Sequence, residues 1–203
     1  MRATSPTSPL DEPEWLQVVM PATDNAAGAE AERVAAPSRE QARACSRQLA
    51  SGVSVVTTCD RDARPHGLTV SAVLCVSLEP AAFLVSVAET SRTLAPLLRR
   101  GAFVINILAA GQEGTADAFA SKAGPDKFRH IAYELSTTKG LPMLCGALSV
   151  LECELIHAYP AGDHRLVVGE VRAMYANPGL PLLRYDGRYL GIERAVEFAG
   201  RAP

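Results

Sequence analysis

The chain has 203 residues, 48% of them hydrophobic and 21% charged, with a formal net charge of -2. That length suits one substantial domain with a core of its own. A charge so near zero gives no electrostatic ground for nucleic acid or an anionic membrane as partner, and no apolar run approaches the ~20 residues that span a bilayer.

Residues 1–36 are rich in Pro, Ala, Ser, Thr and Glu, with one apolar knot, WLQVVM, beginning at Trp15. So little apolar surface predicts a disordered N-terminal tail. Acidic residues and prolines stand where a secretory signal needs a basic start and an apolar stretch, so the expected compartment is cytoplasmic. Cys45, Cys59, Cys75, Cys145 and Cys153 are scattered without a C-x-x-C pair, and the histidines lack ligand spacing. No metal site is expected from such a pattern.

Ser38 followed by Gln41 reads as a capping box that opens a helix, with Ala42, Cys45 and Leu49 as a narrow apolar stripe and Ser51-Gly52 as its stop. Residues 53–58 (VSVVTT) are β-branched almost throughout and predict a strand. The turn residues at 60–65 then lead into one long strand over 67–78, stopped by Glu79-Pro80. A further strand follows over 82–88. A short helix around 94–99 is capped by Ser91 or Thr93 and closed by Gly101.

Residues 102–108 (AFVINIL) predict a buried strand and 113–121 a helix, after which a turn at 124–126 leads to Lys127-Phe128. The second half predicts a long strand pair, 146–159 and 164–175, around the 160–163 turn, then a last hairpin over 182–189 on its Asp-Gly turn. Many strands with short helices between them indicate a mainly β fold, a closed antiparallel β-barrel with peripheral helices. No G-x-G-x-x-G follows a strand, which argues against a Rossmann nucleotide site. The domain is expected over 37–193, with a short tail at 194–203.

Four polar islands interrupt the apolar pattern. Thr69 and Ser71, two apart on the expected strand, present hydroxyls side by side after a permissive glycine. Arg92, between Ser91 and Thr93, offers a planar cationic fork of the kind phosphate prefers. Taken alone, both fit an ordinary strand face and turn as well as a phosphate cradle. His164, after Gly162-Asp163, can be neutral or cationic near pH 7, while Asp163 either orients it or serves the turn. His66, His130 and His157 read as surface residues. Asn106 inside AFVINIL reads as a buried amide bonded to neighbouring backbone.

The ordered series ASGVSVVTT, PHGLTVSAV, VSLEP, SRT, FVINIL, DKF, GLPML, YPAGDH and LVVGEV resembles the flavin reductase family, the reductase components of two-component flavin-dependent monooxygenases. That resemblance covers residues 45–189 and implies the FMN-binding split-barrel fold. It implies that Thr69, Val70, Ser71 and Ala72 line a flavin, FMN or FAD, and that Ser91, Arg92 and Thr93 complete its phosphate site. Lys127 and Phe128 would approach the ring or phosphate, His164 would contact NADH or NADPH as the catalytic residue, and Tyr189 would help close that pocket. A homodimer, with a separate monooxygenase receiving the reduced flavin, is implied likewise. Two alternatives stay open: a flavoprotein with tightly held FMN reducing another acceptor, and a non-catalytic flavin-binding module.

Overall fold

A computed structural model of the chain describes residues 36–121 and 127–192. The expected N-terminal tail through residue 35 with its Trp15 knot, the 124–126 turn and the C-terminal tail lie outside the described residues.

The first helix, α1 (Arg39–Arg47), begins as its sequence dictates: Ser38 Oγ accepts the Gln41 N–H, and the Gln41 side chain accepts the Ser38 N–H. Its apolar stripe finds no core, however. No α1 residue is buried, and Leu49 is 72% exposed. Ser51 and Gly52, read as a helix stop, instead form a short strand, β1 (Ser51–Gly52).

Next come β2 (Ser54–Cys59) and β3 (Pro65–Val70), then β4 (Val73–Leu78) and β5 (Ala81–Ala88). The expected single strand over 67–78 is therefore two, broken at Ser71-Ala72. Helix α2 (Leu94–Arg100) ends at Gly101, whose φ of 67° is the left-handed cap a glycine accepts readily. Neither Ser91 nor Thr93 caps it with a side chain; the Ser91 hydroxyl takes the Thr93 N–H instead. Strand β6 (Ala102–Ile107) and helix α3 (Glu113–Ala120) follow. A ribbon the sequence did not announce, β7 (Tyr133–Leu135) with β8 (Pro142–Leu144), precedes the long pair β9 (Ser149–Ala161) and β10 (His164–Ala176). The chain closes with β11 (Leu182–Tyr185) and β12 (Arg188–Gly191).

The fold is mainly β with few helices. Its main sheet has seven strands in the order β3-β2-β6-β9-β10-β5-β4, and every pairing is antiparallel. Strands β3 and β4 follow each other in the chain yet stand at opposite edges, joined only by Ser71 and Ala72. Seven strands at ~4.8 Å spacing make a flat sheet about 29 Å wide, while a two-residue link spans at most about 11 Å. The sheet must therefore curl until its edges nearly meet. Among the described residues no ladder joins β3 to β4, so this seam is open where the sequence reading expects a closed barrel.

Core packing explains the strands. Val56, Val85, Phe103, Ile105 and Val167 fill the inside of the curl under α2, while Val55, Leu108, Phe119 and Leu182 pack outside it beneath α3. Both faces of β2 are covered and all six residues are buried, which is why VSVVTT shows no alternation. Asn106 is fully buried and satisfied: its Nδ2 donates to Val55 O and Thr57 Oγ1, and its Oδ1 accepts the Leu144 N–H. Glu152 is buried too, because the β7–β8 region covers it and Ser136 Oγ donates to its Oε1 at 2.8 Å.

Candidate cofactor-binding groove

The edge strand β3 forms the floor of a groove of about 1090 Å³. Helix α3 stands over one side, the 88–93 segment leaving β5 forms the other, and residues 127–129 close the end. Two contacts hold α3 against β3. Thr69 Oγ1 donates to Ala116 O at 2.6 Å, and Phe119 packs on the bare backbone of Gly67, with Phe128 edge-on to it at 4.8 Å. An edge strand leaves backbone N–H and C=O groups unpaired by any ladder, and the Gly67 carbonyl on this edge accepts from Lys127 Nζ.

The groove concentrates positive charge. Lys127 Nζ donates to Phe119 O at 2.8 Å and Gly67 O at 3.3 Å, which pins it at the middle of β3. Burial, with the Arg92 guanidinium as the second cause, pulls its ammonium below the usual lysine range. Two cations held together at a partly buried site are stabilised by an anion between them. Further along the same strand stand Arg64 and His66, the latter 3.2 Å from Asp60. Asp60 is held below the ordinary carboxylate range by backbone N–H groups, first that of Arg64, and by His66.

Of the residues singled out from sequence, Thr69, Ser91, Arg92, Thr93, Lys127 and Phe128 line this groove. Val70 turns its side chain into the core at 6% exposure. Ser71 and Ala72 sit exposed at the corner between β3 and β4. Thr69 and Ser71 are therefore not paired hydroxyls on one strand face, as the sequence reading expects, because the strand ends at Val70 and Thr69 is spent on α3.

His164 lies opposite Ala88 in the β10–β5 ladder, one strand over from the groove. It opens β10 after a two-residue turn in which Gly162 adopts φ 60°, a conformation suited to glycine at that hairpin position. Its Nδ1 lies 2.6 Å from Asp163 Oδ1, a contact that lowers the Asp163 pKa. When that nitrogen carries the proton, Nε2 is left for a ligand. Tyr189 stands on the flank of α3, its hydroxyl donating to Asp117 Oδ1 at 3.0 Å; burial and that carboxylate raise its pKa.

Asp60, Arg64 and His66 were not singled out from sequence. Asp60 and Arg64 belong to a stretch that reads as turn chemistry and His66 reads as a surface residue; the packing of α3 and of residues 88–93 and 127–129 around β3 sets them on the groove lining.

Residues 46–193 match the family described as Flavin reductase like domain. The chain is 37% identical over 157 residues to an NADH-dependent flavin reductase from a Rhodococcus species, covering 76% of this chain and 84% of that one. It is 37% identical over 147 residues to the reductase subunit of a flavin-dependent monooxygenase from Rhodococcus jostii, covering 72% and 74%. Among solved structures, an NADH:FAD oxidoreductase from Streptomyces globisporus, in complex with NAD and FAD fragments, superposes with a TM-score of 0.72 at 31% identity. That superposition covers 80% of this chain and 95% of the other.

Proposed function

The chain belongs to the flavin reductase like domain family, and we propose that it transfers hydride from NADH to a flavin and passes the reduced flavin to a separate monooxygenase. The groove is the observation that supports this reading most directly. It carries Arg92 and Lys127 in one lining, with Lys127 on the Gly67 carbonyl, a pair of positive charges suited to a phosphate-bearing ligand. The residues present thus fit a flavin mononucleotide unit.

When bound, the flavin supplies a ring that accepts hydride at N5. The protein's own work is to bind and orient. Arg92, with Ser91 and Thr93 beside it, would hold the phosphate. The backbone of residues 69–72 would border the flavin, with Val70 contributing main chain only. Phe128 and Phe119 shield one side from water. His164, steadied by Asp163, would contact the nicotinamide nucleotide from the Ala88 side and help orient it, and orientation supplies much of the acceleration in hydride transfer. Tyr189 acts on this pocket through α3. No side chain needs to take a proton in hydride transfer itself.

The finer architecture follows the same reading: a split barrel of the FMN-binding type, its open β3/β4 seam bridged by the two-residue link. Leu74, Val76 and Leu78 on the edge strand β4 are 60%, 46% and 87% exposed, an apolar border that a second copy would cover in a homodimer. The compartment is the cytoplasm, where reduced nicotinamide is available.

Steady-state assays crossing NADH and NADPH with FMN, FAD and riboflavin test the function. Flavin-dependent oxidation of NADH is the expected result. Protein that consumes no reduced nicotinamide with any of the three flavins refutes it.

A further inference from the structure

The proposed reaction needs two ligands held at once, and the residues assigned to them stand on different segments. Arg92 lies on the 88–93 segment that leaves β5, and His164 opens β10. The β5–β10 ladder ends where Ala88 faces His164. Past that pair the segment has left the sheet, so whatever holds it there sets the spacing between the two half-sites.

Two links continue beyond the ladder. The Glu89 N–H donates to Asp163 O at 3.0 Å, which bonds the groove wall to the residue just before His164. The Glu89 side chain then reaches β10: its Oε1 accepts from Arg165 Nε at 2.9 Å, and Arg165 Nη2 stands at 2.9 Å from the same oxygen. A planar guanidinium gripping a carboxylate through two nitrogens fixes direction as well as distance. At 30% and 38% exposure the two side chains are sheltered enough for that geometry to persist. Arg165 shares a strand face with Val167 and lies opposite Val87, both in the core, so it points away from its neighbour His164. The groove lining runs from Ala88 to Thr90 without Glu89, and Arg165 stands outside it too. This pair is built into the wall rather than into the ligand site.

Building on the flavin reading, we propose that Glu89 and Arg165 are positioning residues for hydride transfer: their ion pair holds the wall that carries Arg92 at a fixed distance from His164, and so aligns flavin with NADH. The chemistry is that of the proposed function, a hydride leaving the nicotinamide ring for flavin N5, with NADH oxidised and the flavin reduced. Neither residue touches a ligand. Cutting the tie therefore loosens the placement of one ligand against the other while each keeps its own contacts, and rate is more sensitive to such misplacement than affinity is.

Anaerobic stopped-flow of the full chain with saturating NADH, run with FMN and with FAD and read as loss of oxidised-flavin absorbance, measures the transfer rate. Flavin titration and the KM for NADH measure the two holds separately. Glu89→Ala and Arg165→Met are each expected to slow transfer about fivefold or more, with flavin affinity and the KM for NADH within about twofold. The double variant should be no slower than either single one, because all three lose the same interaction. Arg165→Lys should recover part of the rate, since it keeps the charge without the fork. A merely structural pair lowers the thermal melt and leaves the rate unchanged, which overturns the proposal and leaves the flavin reading standing. Weaker flavin binding in Arg165→Met, with Glu89→Ala like wild type, puts Arg165 on the ligand and overturns it as well. Wild type that reduces neither flavin overturns both readings.

Discussion

The ring of Phe119 lies so close to the backbone of Gly67 that a Cβ at residue 67 would sit 2.6 Å from its Cε1. Phe119 is fully buried and wedged against Phe128, so it cannot withdraw. Gly67→Ala is expected to cost about 1–3 kcal/mol through overpacking. It also displaces the Phe119 carbonyl that anchors Lys127, so flavin affinity falls with stability. Urea unfolding and flavin titration of the same variant measure both.

Arg92 should read the phosphate and nothing else. Arg92→Gln is expected to weaken FMN by roughly tenfold or more, the size of a charge-assisted contact, and to leave riboflavin within about twofold. Equal losses for the two ligands would move Arg92 away from the phosphate.

Lys127 is expected to make flavin binding depend on pH. Its proton is held less tightly than that of an ordinary lysine near 10.5, and a bound phosphate anion tightens that hold. Affinity is therefore full below the lowered pKa of the free protein and declines as pH rises through it. Lys127→Met should bind FMN more weakly and lose the alkaline decline. Folding shows the opposite sign: the unfolded chain keeps the proton more tightly, so stability from this group grows as pH rises across the window below 10.5. Titrations at several pH values, with thermal melts alongside, separate the two effects.

His164→Ala is expected to raise the KM for NADH by roughly five- to tenfold while flavin affinity stays within about twofold, since one ligand hydrogen bond contributes about 1 kcal/mol. Asp163→Ala should give a smaller change in the same direction, because it only steadies the ring from an exposed position. An unchanged KM in His164→Ala would remove the histidine from the nicotinamide site.

Ser136→Ala leaves the buried Glu152 oxygen without its hydroxyl donor and is expected to destabilise the fold by about 1–3 kcal/mol. Ser136 also accepts the Leu141 N–H, so the β7–β8 turn should lose protection against hydrogen exchange. The flavin groove should keep its affinity.

Much of this was legible in the chain, and what escaped did so for physical reasons. The Ser38–Gln41 cap, strands β2, β5 and β6, and the Gly162-Asp163 and Asp186-Gly187 turns are local signals, and the structure contains each one. The break at Ser71-Ala72 left no mark, because apolar residues continue through it without proline or glycine. The stripe on α1 has helical spacing but meets no core among the described residues. Glu152 alternates with Leu151 and Cys153, the pattern of a strand with a solvent side, yet it is buried, because β7 and β8, each three residues long and too short to announce themselves, cover it. The groove divides the same way. Arg92 and Lys127 were visible through recurring motifs, whereas Arg64 and His66 reach the groove only by long-range folding.

The pair Ser71-Ala72 acts as the clasp of a bracelet. With so short a strap between the two borders of the sheet, neither is expected to swing outward without unzipping its neighbours, which would keep the bed of the groove fixed. On the proposed function, spent and fresh flavin would then pass over the rim at residues 88–93 and 127–129. Inserting glycines at the clasp would loosen the bracelet and, with it, the alignment on which hydride delivery relies.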